Sequence, residues 1–511
     1  MGTLRASTRR SRLAGGNNMM RALLDDVRDI RMQALARERA MGETIDALSP
    51  AWKRSAANLE HYRALRATDH VALQGNLVRN GLSSLSRREA HVMPTLDAVE
   101  RALSAMCGVA AEPARATMTI DDGAQLLARH ATELLETPMP HMTRIVVTIP
   151  PWAAGDVAFM GSLVDAGMDV ARINASHGDA QQWLASIKSL RTAAAARGRR
   201  IPVCVDLAGP KVRTGVCADG PIPLVAGDVL TLHANDNTSV LATKLANARV
   251  AVRPREVIEH LKPGDRVMFD DGNIRARCTA VDRAKSGGSG DVTGEVTVEV
   301  EAVRAGAWPL KDRKGVNVPD TDMPIAALTD DDLVTLDFVA EHVDIVAMSF
   351  VRSASDIADL HRALAARTKR TIGVVAKVET PQACRALPEI LLELMKSPPC
   401  GVMLARGDLG VEIGFEHLPE AQDEILALCE AAHVPVIWAT QVLESMTEHG
   451  FPTRGEVTDA ADAARADAIM LGIGPFMVET VLFIEDLLAR TQIRRARSRA
   501  LLRAWSPLGT D

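Results

Sequence analysis

The segment Met403-Leu-Ala-Arg-Gly-Asp-Leu-Gly-Val-Glu-Ile413 is the most informative stretch of this chain. A short apolar run ends abruptly in Arg406-Gly407-Asp408, and a second apolar pattern follows it. The pattern predicts a strand that delivers one carboxylate and two close-approach backbone groups to its C-terminal end. In a (β/α)8 barrel, the C-terminal strand ends are where chemistry is done.

A second carboxylate arrives in the same way in Val374-Val-Ala-Lys-Val-Glu379, one strand earlier by spacing. Lys377 and Glu379 are therefore expected at the same barrel mouth as Asp408. Two carboxylates and a lysine that converge at one mouth suit a divalent metal ion and an anionic oxygen.

Short apolar runs, mostly separated by helical stretches, follow residue 142. The eight runs lie at residues 144–149, 169–173, 202–206, 343–350, 371–377, 401–405, 435–439 and 468–471. Eight is the strand count of a closed parallel barrel. An open doubly wound sheet would also alternate, but carboxylates at several strand ends favour the barrel. We therefore predict an α/β fold with a (β/α)8 TIM barrel at residues 141–215 and 319–495.

The third and fourth runs are too far apart to be joined by one helix. Residues 216–318 between them have strand character, with turns at Asp270-Asp-Gly272 and Ser286-Gly-Gly-Ser-Gly290. We expect a small inserted β-barrel domain that is well placed to act as a lid. Residues 1–140 carry helical periodicity after a basic start that we expect to be disordered, and residues 496–511 form a tail.

The composition argues against several classes of protein. A net charge of −6 and an aromatic content of 3% argue against nucleic acid as a partner. The seven cysteines are scattered and lack metal-ligand spacing, which indicates a reducing compartment. No apolar run approaches the roughly 18 residues that a membrane helix requires. We expect a cytoplasmic protein with no membrane partner.

Polar side chains also follow the second and third runs. Arg172-Ile-Asn-Ala-Ser-His-Gly178 offers a guanidinium for a phosphate and neutral oxygens for a cation. An ordinary turn with a capping serine is the alternative. Asp206-Leu-Ala-Gly-Pro-Lys-Val-Arg-Thr-Gly215 supplies a carboxylate and then two cations, and here a solvated charge cluster is the alternative.

Two further segments carry moderate signals. Trp438-Ala-Thr-Gln441 places a hydroxyl and an amide at the seventh run's end, near a helix N-terminus that favours an anion. Simple N-capping is the commoner use of such a threonine. Lys311-Asp-Arg-Lys-Gly-Val-Asn317 closes the inserted domain and by itself is typical of an exposed basic turn. The strong signal is that strands two, three, five, six and seven of one barrel all carry such groups.

Together, these segments resemble the pyruvate kinase family over roughly residues 142–472. Six motifs occur in the family's order and are jointly very specific. They are Arg172-x-Asn-x-Ser-His-Gly178, Gly209-Pro-x-x-Arg-Thr-Gly215, Lys314-Gly-Val-Asn-x-Pro319, Ala376-Lys-x-Glu379, Ala405-Arg-Gly-Asp-Leu-Gly-Val-Glu412 and Ala439-Thr-Gln-x-Leu-Glu-Ser-Met446.

The resemblance implies phosphoryl transfer between phosphoenolpyruvate and ADP, giving pyruvate and ATP in glycolysis. It implies a divalent ion, Mg²⁺ or Mn²⁺, on Glu379 and Asp408. The other implied roles are catalysis by Lys377, Arg172, Arg213 and Thr440; substrate binding by Gly407, Asp408, Thr440 and Lys377; and nucleotide binding by His177, Arg213, Lys314 and Asn174.

A monovalent cation site is also implied. Members of the family hold this cation with the positions that match Asn174, Ser176, Asp206 and the carbonyl of Leu207. Members that require potassium usually carry glutamate where this chain has Lys211. Since a fixed ammonium can supply the same positive charge, we expect Lys211 to replace the ion and the protein not to require potassium.

Several positions depart from the family pattern. Pro150 replaces the family's glycine at the first strand's end, Gly472-Ile-Gly-Pro-Phe476 replaces its Ser-Gly-Glu-Thr, and Gln182 lies near the place of its tyrosine. These changes touch the nucleotide side and leave the phosphate acceptor open. We also expect the chain to lack the family's C-terminal regulatory domain, and the helical region has no counterpart in the family plan. The oligomeric state stays open, with a homo-oligomer among the options.

Two rival functions remain. A metal-dependent lyase or aldolase acting on a pyruvate enolate could use the same carboxylates and lysine without a nucleotide. A non-catalytic descendant could bind a partner through its helical region. Retention of Arg172, Arg213 and Lys314 favours phosphate handling over the first rival. Retention of the metal carboxylates and Lys377 argues against the second.

Overall fold

The computed structural model describes residues 3–136, 143–234, 238–239, 248–284 and 293–500. The basic start, predicted to be disordered over about the first two dozen residues, has helical backbone from Thr3 onward, and the side chains before residue 18 are not described. Most of the predicted tail lies outside the described residues as well. No helix in the described part of the chain is long and apolar enough to cross a membrane.

Within the described residues, six α-helices form the N-terminal region. They are α1 (Thr3–Ala40), α2 (Gly42–Asp46), α3 (Pro50–Leu65), α4 (Val71–Arg79), α5 (Val92–Cys107) and α6 (Ile120–Leu135). Pro50 suits the first turn of α3, where no backbone donor is needed. Thr119 and Asp122 form a capping box at the start of α6, and Gly108 ends α5 in the left-handed conformation that glycine adopts easily.

The rest of the chain alternates strands and helices around an insertion. The first part of the barrel holds β1 (Arg144–Thr148), α7 (Val157–Ala166), β2 (Val170–Asn174), α8 (Ala180–Ala195) and β3 (Val203–Asp206). The insertion holds β4 (Arg213–Thr214), β5 (Val216–Cys217), β6 (Ile222–Leu224), β7 (Val229–His233), β8 (Thr238–Ser239), β9 (Ala248–Arg253), α9 (Glu256–His260), β10 (Arg266–Phe269), β11 (Ile274–Ala284), β12 (Thr293–Val303), β13 (Trp308–Leu310) and β14 (Val316–Asn317). The barrel resumes with α10 (Asp330–His342), β15 (Ile345–Met348), α11 (Ala354–Arg367), β16 (Gly373–Val378), α12 (Pro381–Arg385), α13 (Leu387–Leu394), β17 (Cys400–Ala405), α14 (Arg406–Ile413), α15 (Leu418–Ala431), β18 (Val436–Ala439), α16 (Glu444–His449), α17 (Arg454–Ala463), β19 (Ala468–Leu471) and α18 (Met477–Ala500).

Eight parallel strands close into a ring. Their order is β1, β2, β3, β15, β16, β17, β18, β19 and back to β1. Each predicted apolar run overlaps one of these strands, so the predicted (β/α)8 barrel is confirmed. The strands are mostly buried on both faces, because one face lines the barrel interior and the other lies under helices. Their C-terminal ends bring the predicted functional segments to one mouth.

The insertion is a small β domain, and the predicted β-barrel is confirmed. Seven strands form one sheet in the order β14, β10, β11, β12, β7, β9, β4. A bridge between Arg213 and Gly315 joins the two edges, so the sheet is nearly closed. The interior is apolar, with Phe269, Ile274 and Val298 fully buried. The first strand of this sheet, β4, starts shortly before the residue-216 boundary expected from the sequence.

The N-terminal helical region covers the floor of the barrel, at the end opposite the mouth. Leu134 of α6 packs against the strand starts at Gly373 and Gly401, where a Cβ would lie 2.8 and 2.6 Å from its side chain. Leu134 therefore shares one apolar cluster with the side chains inside the barrel. The guanidinium of Arg144, at the start of β1, donates to the Thr132 hydroxyl of α6 at 2.9 Å.

Buried polar groups form a second contact between the helices and the barrel. His433, just before β18, donates from Nε2 to the Ala90 carbonyl at 2.8 Å and accepts from the Ser55 hydroxyl at 2.9 Å. His130 of α6 donates to the His433 carbonyl at 2.8 Å and stacks on Trp52 with ring centres 3.7 Å apart. Burial lowers the pKa of both histidines to about 4, so both are neutral at physiological pH.

Candidate active site

A buried lysine lies at the barrel mouth. The ammonium of Lys377, on β16, is 2.9 Å from Glu379 Oε1 and 3.3 Å from Asp206 Oδ2, and it donates to the Ser349 hydroxyl at 2.9 Å. Burial alone would lower the pKa of Lys377. The charges of Asp206 and Glu379 outweigh that effect and hold the pKa above its ordinary value. The mouth therefore holds a permanent cation.

Arg172 shares Asp206 with that lysine. Its Nη2 and Nε donate to Asp206 Oδ2 at 2.6 and 3.1 Å, and its Nη1 donates to the Thr148 hydroxyl at 3.2 Å. Asp206 is only 1% exposed. Burial opposes its charge, but the two cations hold the pKa of Asp206 below its ordinary value. Together with Glu379, the cluster holds two cations and two carboxylates in charge balance.

Two residues at the end of β15 complete this cluster, and neither was predicted from the sequence to have a role. Ser349 accepts from Lys377 and donates to the Leu207 carbonyl at 2.7 Å. Phe350 has a φ of +54°, and its amide donates to Glu379 Oε2 at 2.7 Å. A bulky residue with positive φ is uncommon and persists where neighbours fix the backbone. Their position directly after a strand is the signal that could have found them.

A second set of contacts joins the ends of β17 and β18. The Gly407 amide, in the first turn of α14, donates to the Thr440 hydroxyl at 2.7 Å. Arg406, which is buried, donates to the Thr440 carbonyl at 2.8 Å and to Asp459 at 2.5 Å. Thr440 has a φ of +67°, a strained value for a β-branched residue. The anchoring role of Arg406 was not predicted from the sequence.

Both predicted metal carboxylates contact a lysine. Glu379 pairs with Lys377, and Asp408 accepts from the Lys211 ammonium at 3.1 and 3.2 Å. In the described part of the chain, no group of three or more histidine, cysteine or acidic side chains is placed to hold a metal ion. Mg²⁺ usually takes one or two carboxylates and completes its shell with waters and substrate oxygens. A two-carboxylate donor set fits such an ion. Lys211, which was predicted to supply the charge of a monovalent ion, pairs with Asp408.

The residues predicted for a monovalent cation lie together on neighbouring strand ends. Asn174 pairs in register with Asp206, and its Oδ1 accepts from the Ser176 amide at 3.1 Å. The Leu207 carbonyl accepts from the Ser349 hydroxyl. Asp206 Oδ1 is buried and has no hydrogen-bond partner among the described residues. This orphaned carboxylate oxygen fits a cation ligand.

The residues predicted for a nucleotide lie at the rim or on the inserted domain. His177 is exposed in the turn after β2. Arg213, on β4, donates to the Arg313 carbonyl at 3.2 Å. Lys314 pairs with Asp270 of the same domain at 2.7 Å. Among the described residues, no hydrogen bond or ion pair joins these three side chains to the buried cluster.

Comparison with known proteins gives a consistent result. A sequence model described as "Pyruvate kinase, barrel domain" matches residues 140–475. A pyruvate kinase of Corynebacterium glutamicum is 36% identical over 336 residues, which are 65% of this chain and 65% of that protein. A pyruvate kinase of Thermococcus litoralis is 34% identical over 373 residues, which are 71% of this chain and 73% of that protein. The chain therefore spans 65% of the length of the corynebacterial relative.

A solved structure shares the architecture. The crystal structure of a pyruvate kinase from Cryptosporidium parvum superposes with a TM-score of 0.59 at 28% identity. The superposition covers 71% of this chain and 70% of that one.

Proposed function

The chain belongs to the pyruvate kinase family, and from that premise we propose that it transfers a phosphoryl group between phosphoenolpyruvate and ADP, giving pyruvate and ATP. The matched segment, residues 140–475, contains every barrel strand and the inserted domain. The six motifs that carry the proposed chemistry all lie inside it.

The observation that carries this proposal is the buried charge at the mouth. Lys377 and Arg172 stay protonated despite burial, because the carboxylates of Asp206 and Glu379 face them. Phosphoryl transfer is achieved mostly by positioning and by fixed positive charge near phosphate oxygens. Preorganised charges in a site that excludes water act more strongly than the same charges in solvent.

Each cation would then contact different oxygens of the substrate. Lys377 stabilises the moving phosphoryl and enolate oxygens, while Arg172 and Arg213 hold the phosphate. Arg172 is already oriented by its two hydrogen bonds to Asp206, so little orientational freedom remains to be lost on binding. Arg213 lies on β4 of the inserted domain, so its contribution depends on where the lid sits.

The pyruvate carboxylate would bind at the first turn of α14. The amides of Gly407 and Asp408 and the Thr440 hydroxyl are the donors, and a helix N-terminus favours an anion. The Gly407 amide already donates to the Thr440 hydroxyl, so these groups are held close together. A Cβ at position 407 would lie 3.2 Å from that hydroxyl oxygen. Glycine therefore lets this backbone lie close to the Thr440 hydroxyl.

Glu379 and Asp408 would hold the Mg²⁺ or Mn²⁺ ion. When bound, the ion supplies positive charge to the substrate oxygens and polarises them. Without the ion, Lys211 neutralises Asp408. Its partly exposed ammonium can leave that carboxylate at little cost in free energy. Lys211 then remains as a further cation beside the substrate.

The acceptor ADP would bind on the lid side of the mouth, through His177, Asn174, Arg213 and Lys314. The side chain of Lys314 is 36% exposed and pairs with Asp270 in the lid. An exposed lysine can exchange one anionic partner for another, so a phosphate could replace Asp270 when the lid closes.

The test is pyruvate formation from phosphoenolpyruvate, measured with Mg²⁺ in the presence and absence of ADP. Equal amounts of pyruvate and ATP, formed only with ADP, support the proposal. Pyruvate and inorganic phosphate formed without ADP would mean that the phosphoryl group goes to water, and would overturn ADP as the acceptor. Absence of turnover would point to a non-catalytic member of the family or to a lyase or aldolase, and release of pyruvate from a 2-keto acid aldol substrate would distinguish these two. Lys377→Met is the matched control, because it removes one cation while Asp206 keeps its pair with Arg172.

A further inference from the structure

Helix α14 (Arg406–Ile413) joins the mouth to the lid. Its first turn carries Gly407 and Asp408, which belong to the proposed substrate and metal site. Its last turn carries Val411 and Glu412, and both contact the inserted domain. At about 1.5 Å per residue, Asp408 and Glu412 are only about 6 Å apart along the helix axis. A rigid helix of this length moves as one piece.

The lid side of the joint is Asn317 on β14. Its Nδ2 donates to Glu412 Oε1 at 2.8 Å, and the residue is only 4% exposed. Its Oδ1 is buried without a hydrogen-bond partner among the described residues. The lid turn at Gly272 adds an apolar contact, since a Cβ there would lie 3.5 Å from Val411. A buried amide with an unsatisfied oxygen costs stability, which indicates a use other than packing.

Two chain segments connect the barrel to the lid, one before β4 and one after β14. The first of these crossings contacts the same helix. Lys211 lies just before β4 and donates to Asp408 at 3.1 Å. Its stem packs beside Gly315, where a Cβ would lie 3.1 Å from Lys211 Cε. One crossing is therefore bonded to the first turn of α14, through Lys211, and the other to the last turn, through Asn317.

We propose that Asn317 and Glu412 are positioning residues that couple the position of the lid to the orientation of α14. A movement of the lid is transmitted through this pair to the helix that carries Gly407 and Asp408. The coupling is reciprocal, so a ligand that binds at the first turn of α14 shifts the lid by the same free energy. The proposal rests on the proposed function for its kinetic readout alone.

A small set of variants separates coupling from packing. Asn317→Ala and Glu412→Ala each remove the hydrogen bond between the two side chains. If both act through that one bond, the double variant should show the same effect as either single variant. Asn317→Asp combined with Glu412→Gln restores a hydrogen bond with the amide and the carboxylate on exchanged sides. Burial raises the pKa of Glu412 to about 7, so an uncharged glutamine suits that position. Glu416→Ala, at an exposed position just past α14, is the matched control.

Hydrogen–deuterium exchange provides a readout that does not depend on activity. We expect Asn317→Ala and Glu412→Ala each to raise amide exchange in residues 406–413. We expect each to lower kcat/KM for phosphoenolpyruvate by about tenfold, a typical coupling between two sites. The double variant should be no worse than either single variant. The exchanged pair should recover most of both signals, and Glu416→Ala should change neither.

Unchanged exchange in residues 406–413, or additive losses in kcat/KM, would overturn the proposal. If the unmodified chain turns over no phosphoenolpyruvate, the proposed function fails, and amide exchange then decides the coupling by itself. Thermal melting establishes that each variant is folded. Should Asn317→Ala fail to fold, Asn317→Ser takes its place, because its hydroxyl is too short to reach Glu412.

Discussion

The mouth and the floor of one barrel are built on opposite physical principles. At the mouth, Lys377, Arg172 and Asp206 are charged groups held out of water, and Phe350 and Thr440 have strained backbones. At the floor, Leu134 and Leu135 of α6 form an apolar plug under the barrel (the α6 plug), and the buried histidines beside it are neutral. Buried charge and strain cost stability, whereas buried apolar surface supplies it.

This contrast shows that the barrel places its proposed catalytic residues at one end and its stabilising contacts at the other. The strands run from floor to mouth, so a residue's position along its strand decides whether its substitution is felt as lost chemistry or as lost stability. The helical region, which is packed on the floor, belongs to the stabilising side. Substitutions at the two ends of the barrel can test that division.

The largest effect is expected at the mouth. Lys377→Met or Asp408→Ala should lower turnover by on the order of 10³-fold or more, since each removes a charge that acts on the reacting group. The fold should persist, because Asp206 keeps Arg172 and Glu379 keeps the Phe350 amide. Steady-state rates and thermal melting of both variants check this.

Lys396→Met is the matched control for the lysine variant, because Lys396 lies at the surface and pairs only with the nearby Glu393 among the described contacts. Retained activity in Lys377→Met, or collapse of the fold in both mouth variants, would remove the mouth from the catalytic side of the comparison.

The converse effect is expected at the floor. Leu134→Ala should lower the free energy of unfolding by about 3 kcal/mol, because it empties space beneath the barrel interior. Turnover per folded molecule should stay unchanged, since the mouth is at the opposite strand ends. Urea denaturation and kcat at a temperature where the variant is folded give the two numbers. Leu482→Ala, at an exposed position on α18, is the control, and a loss of kcat in Leu134→Ala would contradict the division.

Protonation of the two buried histidines should weaken the floor as pH falls, against the opposite contribution of buried Asp467, whose pKa burial raises to about 7. His130 and His433 have a folded pKa of about 4, against roughly 6.5 when unfolded. Because the folded value is depressed, their stabilisation is complete above pH 6.5 and is lost as pH falls towards 4. The expected loss is about 1.4 kcal/mol for each histidine at pH 5.5.

Denaturation midpoints between pH 7 and pH 5 measure this slope. His433→Gln should remove one histidine's contribution, so that stability falls less with acid than in the unmodified chain, and His449→Gln, at a surface position, should not change the slope. An unchanged slope in His433→Gln would show that other groups set the acid sensitivity.

The smallest effect concerns potassium. Replacing sodium or tetramethylammonium by potassium should leave activity almost unchanged, because Lys211, Lys377 and Arg172 already surround the substrate site with positive charge. Lys211→Glu should introduce a potassium requirement. Stimulation of the unmodified protein by about tenfold or more, equivalent to about 1.4 kcal/mol of barrier, would contradict this charge argument.

Much of the fold could be predicted from the sequence. Apolar runs of strand length recur along the chain, and polar groups follow them at fixed offsets, so both the barrel and its mouth are readable from local pattern. The same rule placed Arg172, Lys377 and Glu379 correctly beside one another. The rule also applies to Ser349, which was not predicted because its hydroxyl carries no charge.

What could not be predicted was which partner each side chain takes. Lys211 was expected to replace a monovalent cation, and nothing in the sequence indicated that its ammonium also pairs with Asp408. Leu134 reads as an ordinary apolar residue of a helix, and only the glycines at the distant strand starts make it a plug. The bond from Asn317 to Glu412 likewise joins segments far apart in sequence, where local periodicity carries no information.

The α6 plug has a consequence for the order in which the molecule can be assembled. A ribosome releases the helical region, ending with Leu135, before β1 begins at Arg144. The ring, by contrast, closes where Arg144 pairs with Ala468 of β19, so closure waits for nearly the whole barrel to be synthesised. N-terminal units tend to fold first during synthesis. The newly synthesised strands can thus pack against an apolar surface that is already formed. This shortens the time during which their unpaired edges are exposed to aggregation with other chains.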